Sequence, residues 1–308
     1  MTEAIISILI GLVALAIGGE LLVRGAVGVA NKLGVSTLFT GLVIVGFATS
    51  MPEMVASVQA ALIDSPEIAW GNIAGSNISN SLLILGATAL IAPIVLTGMG
   101  KRDAAVGLGV SALLWVLTAA AFGSLWIGVG LLALLISYIV WRYRHPRAAD
   151  EEDEEEGPDA LWLAALLLVG GVGVLVFGGN ILVNGAIEIA TILGMSETVI
   201  GLTIVAIGTS LPELAASAVA AFRGKPGLAI GNVVGSNIYN ILLIGGVTMI
   251  LVPRPIPFEL VDVEFAVVTG SALLIWILLA RGKTIGRGLG ALLLAGFAAN
   301  TVYLLLAQ

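Results

Sequence analysis

The sequence predicts an all-α integral membrane protein of ten transmembrane helices in two inverted five-helix repeats, with helices 2, 3, 7 and 8 broken around a polar centre. Three observations predict this fold. Hydrophobic residues make up 59% of the 308 positions and charged residues only 11%, whereas soluble proteins have about 45–50% and about 25%. Apolar segments of membrane-spanning length recur along the chain. The second half of the chain also repeats the first.

Ten segments reach the length of about 20 apolar residues that a transmembrane helix needs. They lie near residues 4–23, 36–62, 68–91, 104–121, 124–141, 160–182, 196–222, 228–251, 263–280 and 286–306. The polar stretch "RYRHPRAADEEDEEEGPDA" follows the fifth segment. It divides the chain into a first five-helix repeat over residues 1–141, an acidic linker over 142–159 and a second repeat over 160–308. Because the linker lacks the spaced ligands and turn glycine of a calcium-binding loop, we interpret it as a flexible connection.

The two halves are copies of each other. Residues 41–90 align with 201–250 without a gap, and 26 of these 50 positions are identical. Upstream, "GGELLVRGAV" at 18–27 corresponds to "GGNILVNGAI" at 178–187. Because each repeat has five helices, an odd number, the second copy enters the membrane from the opposite side. Inverted repeats of this kind are typical of secondary transporters.

The positions of lysine and arginine predict the orientation of the chain, because short cytoplasmic loops are enriched in these residues. With ten spans and the N-terminus outside the cell, the C-terminus is outside as well. Every lysine and arginine except Arg254 then lies on the cytoplasmic side. We therefore predict a multi-pass protein of the cell membrane with both termini outside and the acidic linker 142–159 in the cytoplasm.

The second helix of each repeat carries a proline and a glutamate, in "ATSMPEMVAS" at 48–57 and "GTSLPELAAS" at 208–217. Proline has no N–H and clashes with the carbonyl group four residues earlier, which predicts a break. In lipid, the freed carbonyl oxygens must line a polar cavity. The polar side chains beside the two prolines are Thr49, Ser50 and Glu53 in the first copy, and Thr209, Ser210 and Glu213 in the second.

The third helix of each repeat supplies further oxygen atoms, in "GNIAGSNISN" at 71–80 and "GNVVGSNIYN" at 231–240. The paired residues one helical turn apart are Ser76 and Asn80, and Ser236 and Asn240. Oxygen ligands without histidine or cysteine suit Ca²⁺, Na⁺ or Mg²⁺, and calcium tolerates the most flexible cage. Two carboxylates also balance one divalent cation. The alternative is a structural role for two protonated glutamates, but intramembrane carboxylates are costly and usually functional.

The paired motifs "GFATSMPE…GNIAGSN" and "AIGTSLPE…GNVVGSN" resemble the two α-repeats of the calcium/cation antiporter superfamily, and the layout resembles its compact prokaryotic sodium/calcium exchangers. The resemblance implies that helices 1 and 6 form a loosely packed pair that slides against the other eight. It implies ion ligands at the side chains of Thr49, Ser50, Glu53, Ser76, Asn80, Thr209, Ser210, Glu213 and Ser236, and at the carbonyl oxygens of Gly46 and Ala206. Asn240 stands where many relatives carry aspartate, which disfavours K⁺ co-transport.

We therefore predict a secondary active antiporter, not an enzyme, that exchanges Na⁺ for Ca²⁺ in the lipid bilayer by alternating access. We expect no cofactor, no nucleic acid and no obligatory protein partner. A H⁺/Ca²⁺ exchanger of the same fold is the nearest alternative, because a buried carboxyl group can carry a proton. The Ser, Thr and Asn oxygens favour Na⁺. A passive cation channel and a structural membrane protein are further alternatives, which the discontinuous inverted repeats and the polar centre disfavour.

Overall fold

The computed structural model of the protein describes residues 1–96, 99–145, 158, 160–194, 206–257 and 262–307. These residues form α-helices joined by short connections, which we number α1 to α12. The helices are α1 Thr2–Leu33, α2 Thr37–Thr49, α3 Met51–Leu62, α4 Pro66–Ile91, α5 Lys101–Ala119, α6 Leu125–Arg144, α7 Leu161–Ile192, α8 Ala206–Thr209, α9 Leu211–Phe222, α10 Pro226–Leu251, α11 Asp262–Arg281 and α12 Arg287–Ala307.

Eight of the described helices are long and apolar enough to cross a membrane, and α2 with α3 forms a ninth span that bends by 44°. The prediction of an all-α protein with many spans is therefore confirmed. The predicted seventh span, residues 196–222, lies partly outside the described residues, which include it from residue 206 onwards as α8 and α9. The count of ten spans and their inverted arrangement stay predictions.

The prediction that helices 3 and 8 are broken is wrong for the described residues, because α4 and α10 each run without interruption. Both contain a π-helical segment instead, at Ser79–Ile84 in α4 and at Asn240–Ile244 in α10. A π-helical turn accommodates an extra residue through wider hydrogen bonding, so the helix changes register without ending. Neither segment contains a proline, and α4 and α10 each continue as one helix, whereas α2 and α3 are separated by a bend of 44°.

Helices α1 and α7 pack closely against each other because glycines recur every seven residues on both. These glycines are Gly11, Gly18 and Gly25 in α1, and Gly171, Gly178 and Gly185 in α7. A Cβ atom at Gly11 would lie 2.7 Å from the carbonyl oxygen of Gly178, and one at Gly18 would lie 2.8 Å from the backbone nitrogen of Leu175. Only a hydrogen atom fits at these positions, as is common where membrane helices approach closely.

The interior contains two separate clusters of buried apolar side chains. One cluster joins α1 and α7 to α9 and the start of α10, with Leu22 and Ala216 among its members. The larger cluster surrounds α4 and α10 and includes Trp70, Ile73 and Phe265. The α1 and α7 pair thus lies beside the main bundle and is joined to it through this cluster, and α9 is the helix of the bundle on which α1 chiefly packs.

Polar contacts tie the ends of the main bundle together. Asp103 at the start of α5 and Arg142 near the end of α6 are both buried, and their charged groups lie 3.1 Å apart. The Tyr138 hydroxyl donates a hydrogen bond of 2.9 Å to the same aspartate. The connections before α5 and after α11 meet where Ile94 and Ile285 exchange two backbone hydrogen bonds of 3.1 and 2.9 Å. These contacts fix the ends of α5, α6 and α11 relative to the connections beside them.

Candidate ion-binding site

The helix breaks lie at two serines in equivalent positions. Ser50 separates α2 from α3 with backbone angles of φ −80° and ψ 4°, and Ser210 separates α8 from α9 with φ −89° and ψ 4°. Pro52 and Pro212 follow in the first turn of the next helix, where a missing N–H leaves no hydrogen bond unmade. The breaks predicted for helices 2 and 7 are therefore present in the described residues, two residues ahead of each proline.

Two carboxylates face the interior from these first turns. Glu53 in α3 and Glu213 in α9 are each only 2% exposed. Their side chains lie close enough to interact electrostatically, and the Oε2 atom of each has no hydrogen-bond partner among the described residues. Two buried carboxylates that are both ionised repel each other strongly at low dielectric. A cation between them would remove that repulsion and complete their coordination.

Oxygen atoms from α2 and α10 adjoin the carboxylates. The Thr49 hydroxyl lies 3.1 Å from the carbonyl oxygen of Val45 and 3.1 Å from Oδ1 of Asn232, and it is also within hydrogen-bonding reach of the Glu213 side chain. The Ser236 hydroxyl lies 3.5 Å from the carbonyl oxygen of Gly46. Because a Cβ atom at Gly46 would lie 3.0 Å from the backbone nitrogen of Ser236, the glycine is needed for this close approach.

The structure brings together some of the predicted ligands more directly than others. The contacts above join Gly46, Thr49, Glu53, Glu213 and Ser236 in one cluster. Hydrogen bonds among the described residues do not connect Ser76 or Asn80 of α4 to this cluster, although both residues are buried. The remaining predicted ligands are Ser50, Ser210 and Asn240, which are buried, Thr209, which is half-buried, and Ala206, of which only the backbone is described.

Two of these buried groups still have free hydrogen-bonding capacity. Oγ of Ser50 and Oδ1 of Asn240 lack a hydrogen-bond partner among the described residues. Buried polar atoms without partners are rare in folded proteins and call for a bound ion or water. These orphaned oxygen atoms therefore fit the same coordination role as those of the two glutamates.

Two asparagines that the sequence analysis did not single out hold the turns that carry the glutamates. The Asn72 side-chain amide donates to the carbonyl oxygen of Glu53 at 3.1 Å and to Oγ of Ser57 at 2.9 Å. The Asn232 amide donates to the carbonyl oxygen of Glu213 at 3.2 Å and to Oγ of Ser217 at 2.9 Å. The only signal in the sequence is that "GN" opens both copies of the second motif.

Comparison with known proteins decides the family. The model of the family described as sodium/calcium exchanger protein matches residues 3–144 and 163–306, which is most of the chain. The chain belongs to this family. It is a cation/Ca²⁺ antiporter, and a multi-pass membrane transporter rather than an enzyme. The resemblance of the paired motifs to the calcium/cation antiporter superfamily is thus confirmed.

Individual relatives of this antiporter match over nearly their whole lengths. The putative antiporter CaxA of Alkalimonas amylolytica is 37% identical over 311 residues, which cover 96% of this chain and 97% of that protein. The sodium/calcium exchanger MaX1 of Methanosarcina acetivorans is 31% identical over 352 residues and 99% of both chains. A solved structure of the sodium-calcium exchanger NCX_Mj, soaked with zero Na⁺ and Ca²⁺, has a TM-score of 0.84 at 33% identity and covers 98% of this chain and 99% of that chain.

Proposed function

We propose that this family member exchanges Na⁺ for Ca²⁺ at a site between its two halves. The observation that carries the proposal is the meeting of Glu53 and Glu213, one from each half, with an unpartnered buried oxygen atom on each. The ligands we propose are the side chains of Thr49, Ser50, Glu53, Ser76, Asn80, Thr209, Ser210, Glu213, Ser236 and Asn240, and the carbonyl oxygens of Gly46 and Ala206.

The chemistry of this set explains the choice of ions. Two carboxylates neutralise one Ca²⁺, and the neutral hydroxyl, amide and carbonyl oxygens complete the six to eight ligands that calcium takes. The same neutral oxygens can be shared among several Na⁺ ions when calcium is absent. Because Na⁺ and Ca²⁺ would then compete for one set of atoms, inward movement of Na⁺ can drive Ca²⁺ outward. The relative named sodium/calcium exchanger MaX1 supports this choice.

The same proposal includes ten spans in two inverted repeats, over residues 1–141 and 160–308, with the linker in the cytoplasm. Contacts between distant parts of the chain support this topology, because each joins residues assigned to the same side. The cytoplasmic contacts are Glu20 with Arg223, Asp103 with Arg142, and Arg287 with the carbonyl oxygen of Leu90. The outside contacts are Asp64 with Arg254, and the N-terminus with Glu188.

Alternating access would follow from movement of the glycine-rich pair α1 and α7 as a unit. The pair joins the bundle chiefly through α9, in a buried cluster separate from the larger cluster around α4 and α10. Movement of this unit would open the site to one side of the membrane as it closes the other. The pair packs closely within itself, so the sliding surface would lie between α1 and α9 rather than between α1 and α7.

Uptake of ⁴⁵Ca²⁺ into proteoliposomes tests the proposal. Vesicles loaded with Na⁺ are compared with vesicles loaded with K⁺ and with vesicles that have only a pH gradient. We expect uptake to require internal Na⁺ and to be abolished by Glu213→Gln, which removes one of the two charges that balance Ca²⁺. The matched control is Asp64→Asn, because this carboxylate is 63% exposed and lies outside the site.

Three outcomes would contradict the proposal. Uptake driven by the pH gradient alone would identify a H⁺/Ca²⁺ exchanger in which the glutamates carry protons. Single-channel Ca²⁺ currents in the absence of Na⁺ counterflow would identify a channel. Uptake that persists unchanged in Glu213→Gln would show that the paired glutamates are structural.

A further inference from the structure

Asn72 and Asn232 make the same two hydrogen bonds in the two halves of the molecule. Each side-chain amide donates to the carbonyl oxygen of a site glutamate, which lies 19 residues earlier in the sequence. It also donates to a serine hydroxyl 15 residues earlier, one helical turn after that glutamate. Both N–H protons of each amide are used. The first turn of a helix has no preceding turn to which it can hydrogen-bond. These bonds therefore constrain the first turns of α3 and α9, which carry the two glutamates.

Asn232 makes a third contact that crosses between the halves. It is 1% exposed, and its Oδ1 atom accepts a hydrogen bond of 3.1 Å from the Thr49 hydroxyl of α2. The same hydroxyl is within reach of the Glu213 side chain. A single amide therefore connects the glutamate helix α9, the central helix α10 and the last turn of α2. Its oxygen atom contacts Thr49 of the first half, and its nitrogen atom contacts Glu213 and Ser217 of the second half.

We propose that Asn232 and Asn72 are positioning residues for ion exchange, which fix the glutamate-bearing turns without binding the ions themselves. The inference rests on the proposed function. Binding sites require their groups to be held within about 0.5 Å of the productive geometry by the surrounding residues. The amides supply that support at the two points where a helix break leaves the backbone least constrained. Asn232 also sets the distance between Thr49 and Glu213.

The test compares Asn232→Leu and Asn72→Leu with wild type in Na⁺-driven ⁴⁵Ca²⁺ uptake. Loss of three hydrogen bonds at Asn232 should raise the Ca²⁺ concentration for half-maximal uptake about tenfold, and loss of two at Asn72 about threefold. Thr118→Val is the control. Thr118 of α5 is also a buried polar residue, but its hydroxyl donates to the carbonyl oxygen of Leu114 in its own helix. We expect this control to leave the half-maximal concentration unchanged.

A second readout separates positioning from general stability. The thermal midpoint of purified protein is measured with and without Ca²⁺. A positioning role predicts that Asn232→Leu loses most of the rise that Ca²⁺ produces in wild type, while its midpoint without ions stays near that of Thr118→Val. A purely structural role predicts the reverse, with a lower ion-free midpoint, an intact Ca²⁺ effect and an unchanged half-maximal concentration. That second pattern would overturn the inference.

Two further variants keep the inference testable if Asn232→Leu does not fold. Ser217→Ala removes one acceptor of the amide and should raise the half-maximal Ca²⁺ concentration about twofold. Ser57→Ala removes the equivalent acceptor of Asn72 and should have a smaller effect. An unchanged half-maximal concentration in Ser217→Ala would contradict the inference. If wild type shows Ca²⁺-dependent thermal stabilisation but no Na⁺-driven uptake, the proposed exchange fails, whereas the positioning role is still decided by the thermal data.

Discussion

Helices α4 and α10 carry nearly the same motif, yet their surroundings differ. Gly71 and Gly75 of α4 are exposed, and no described atom lies within 4 Å of a Cβ placed on either. Their counterparts Gly231 and Gly235 of α10 are buried against α2, and a Cβ at Gly231 would lie 2.6 Å from the carbonyl oxygen of Leu38. Among the described residues, nearly identical motifs thus coexist with one packed and one exposed helix face. The repeated motif specifies a set of possible contacts, and the described residues make them on α10.

Under the proposed topology, the packed face of α10 and the exposed face of α4 lie at opposite sides of the membrane. Helix α4 begins at the outside of the membrane and α10 begins at the cytoplasmic side, so Gly71 and Gly231 lie near opposite surfaces. In the part of the chain that the structure describes, the packed face therefore closes the cytoplasmic side, and the exposed face leaves the outside open. Because the repeats are inverted, the opposite conformation would exchange these two environments.

The strongest test of this comparison is to add one methyl group to each half. Gly235→Ala should destabilise the protein by about 1–3 kcal/mol through overpacking, because its Cβ would lie 2.8 Å from Cα of Leu42. Gly75→Ala should change stability by less than about 0.5 kcal/mol or raise it slightly, since alanine favours helix. Thermal unfolding in detergent measures both effects. Equal losses for the two variants would show that the halves are packed alike.

Thiol labelling sharpens the comparison by reporting access to each half. The chain contains no cysteine, so single substitutions can be labelled without a background. A membrane-impermeant thiol reagent added outside should modify Gly75→Cys at least about tenfold faster than Ser236→Cys, since a buried position reacts only after local opening. The serine at 236 is fully buried at equivalent depth in the packed half. Faster labelling of Ser236→Cys would reverse the assignment of open and closed sides.

A smaller effect is expected from the ion pair that joins α1 to α9 on the closed side. The Glu20 carboxylate accepts hydrogen bonds from Arg24 of its own helix and from Arg223 at the end of α9. Partly exposed pairs of this kind contribute about 0.2–1 kcal/mol. With the reagent on the cytoplasmic side, in inside-out vesicles, Glu20→Gln should therefore speed labelling of Ser236→Cys only a few-fold. High salt should produce the same change in the parent protein. Glu188→Gln, which removes an exposed pair near the other end of α7, is the control and should have no effect on labelling.

Features that depend on residues close together in the sequence, such as the helix breaks, were the most predictable. Pro52 and Pro212 act on their own helices, and the breaks beside them are found at Ser50 and Ser210. The continuity of α4 was not predictable in the same way, because its motif has no proline, and glycine and asparagine do not by themselves decide between a break and a π-helical segment. The paired motifs also indicated the family, and the family match confirms it. The complete ligand set, the ten spans and the orientation are still predictions.

The sequence could not predict what depends on contacts between distant residues. Gly75 and Gly235 are indistinguishable in their motifs, and among the described residues packing against Leu42 separates them. The sequence around Asn232 gives no sign of its role, because its hydrogen-bond partners Glu213, Ser217 and Thr49 lie on other helices. The orientation of such side chains is set by tertiary packing and has no local sequence signal.

The length of α1 and α7 has a consequence for the membrane itself. Each helix has 32 residues and is therefore about 48 Å long, whereas the hydrocarbon core is about 30 Å thick. Large apolar side chains such as Ile5, Leu12 and Phe177 are exposed along this pair. Such long helices tilt to match the bilayer, and any movement of the pair must displace lipid. Turnover should consequently vary with acyl-chain length and membrane viscosity, even where the ions and their ligands are unchanged.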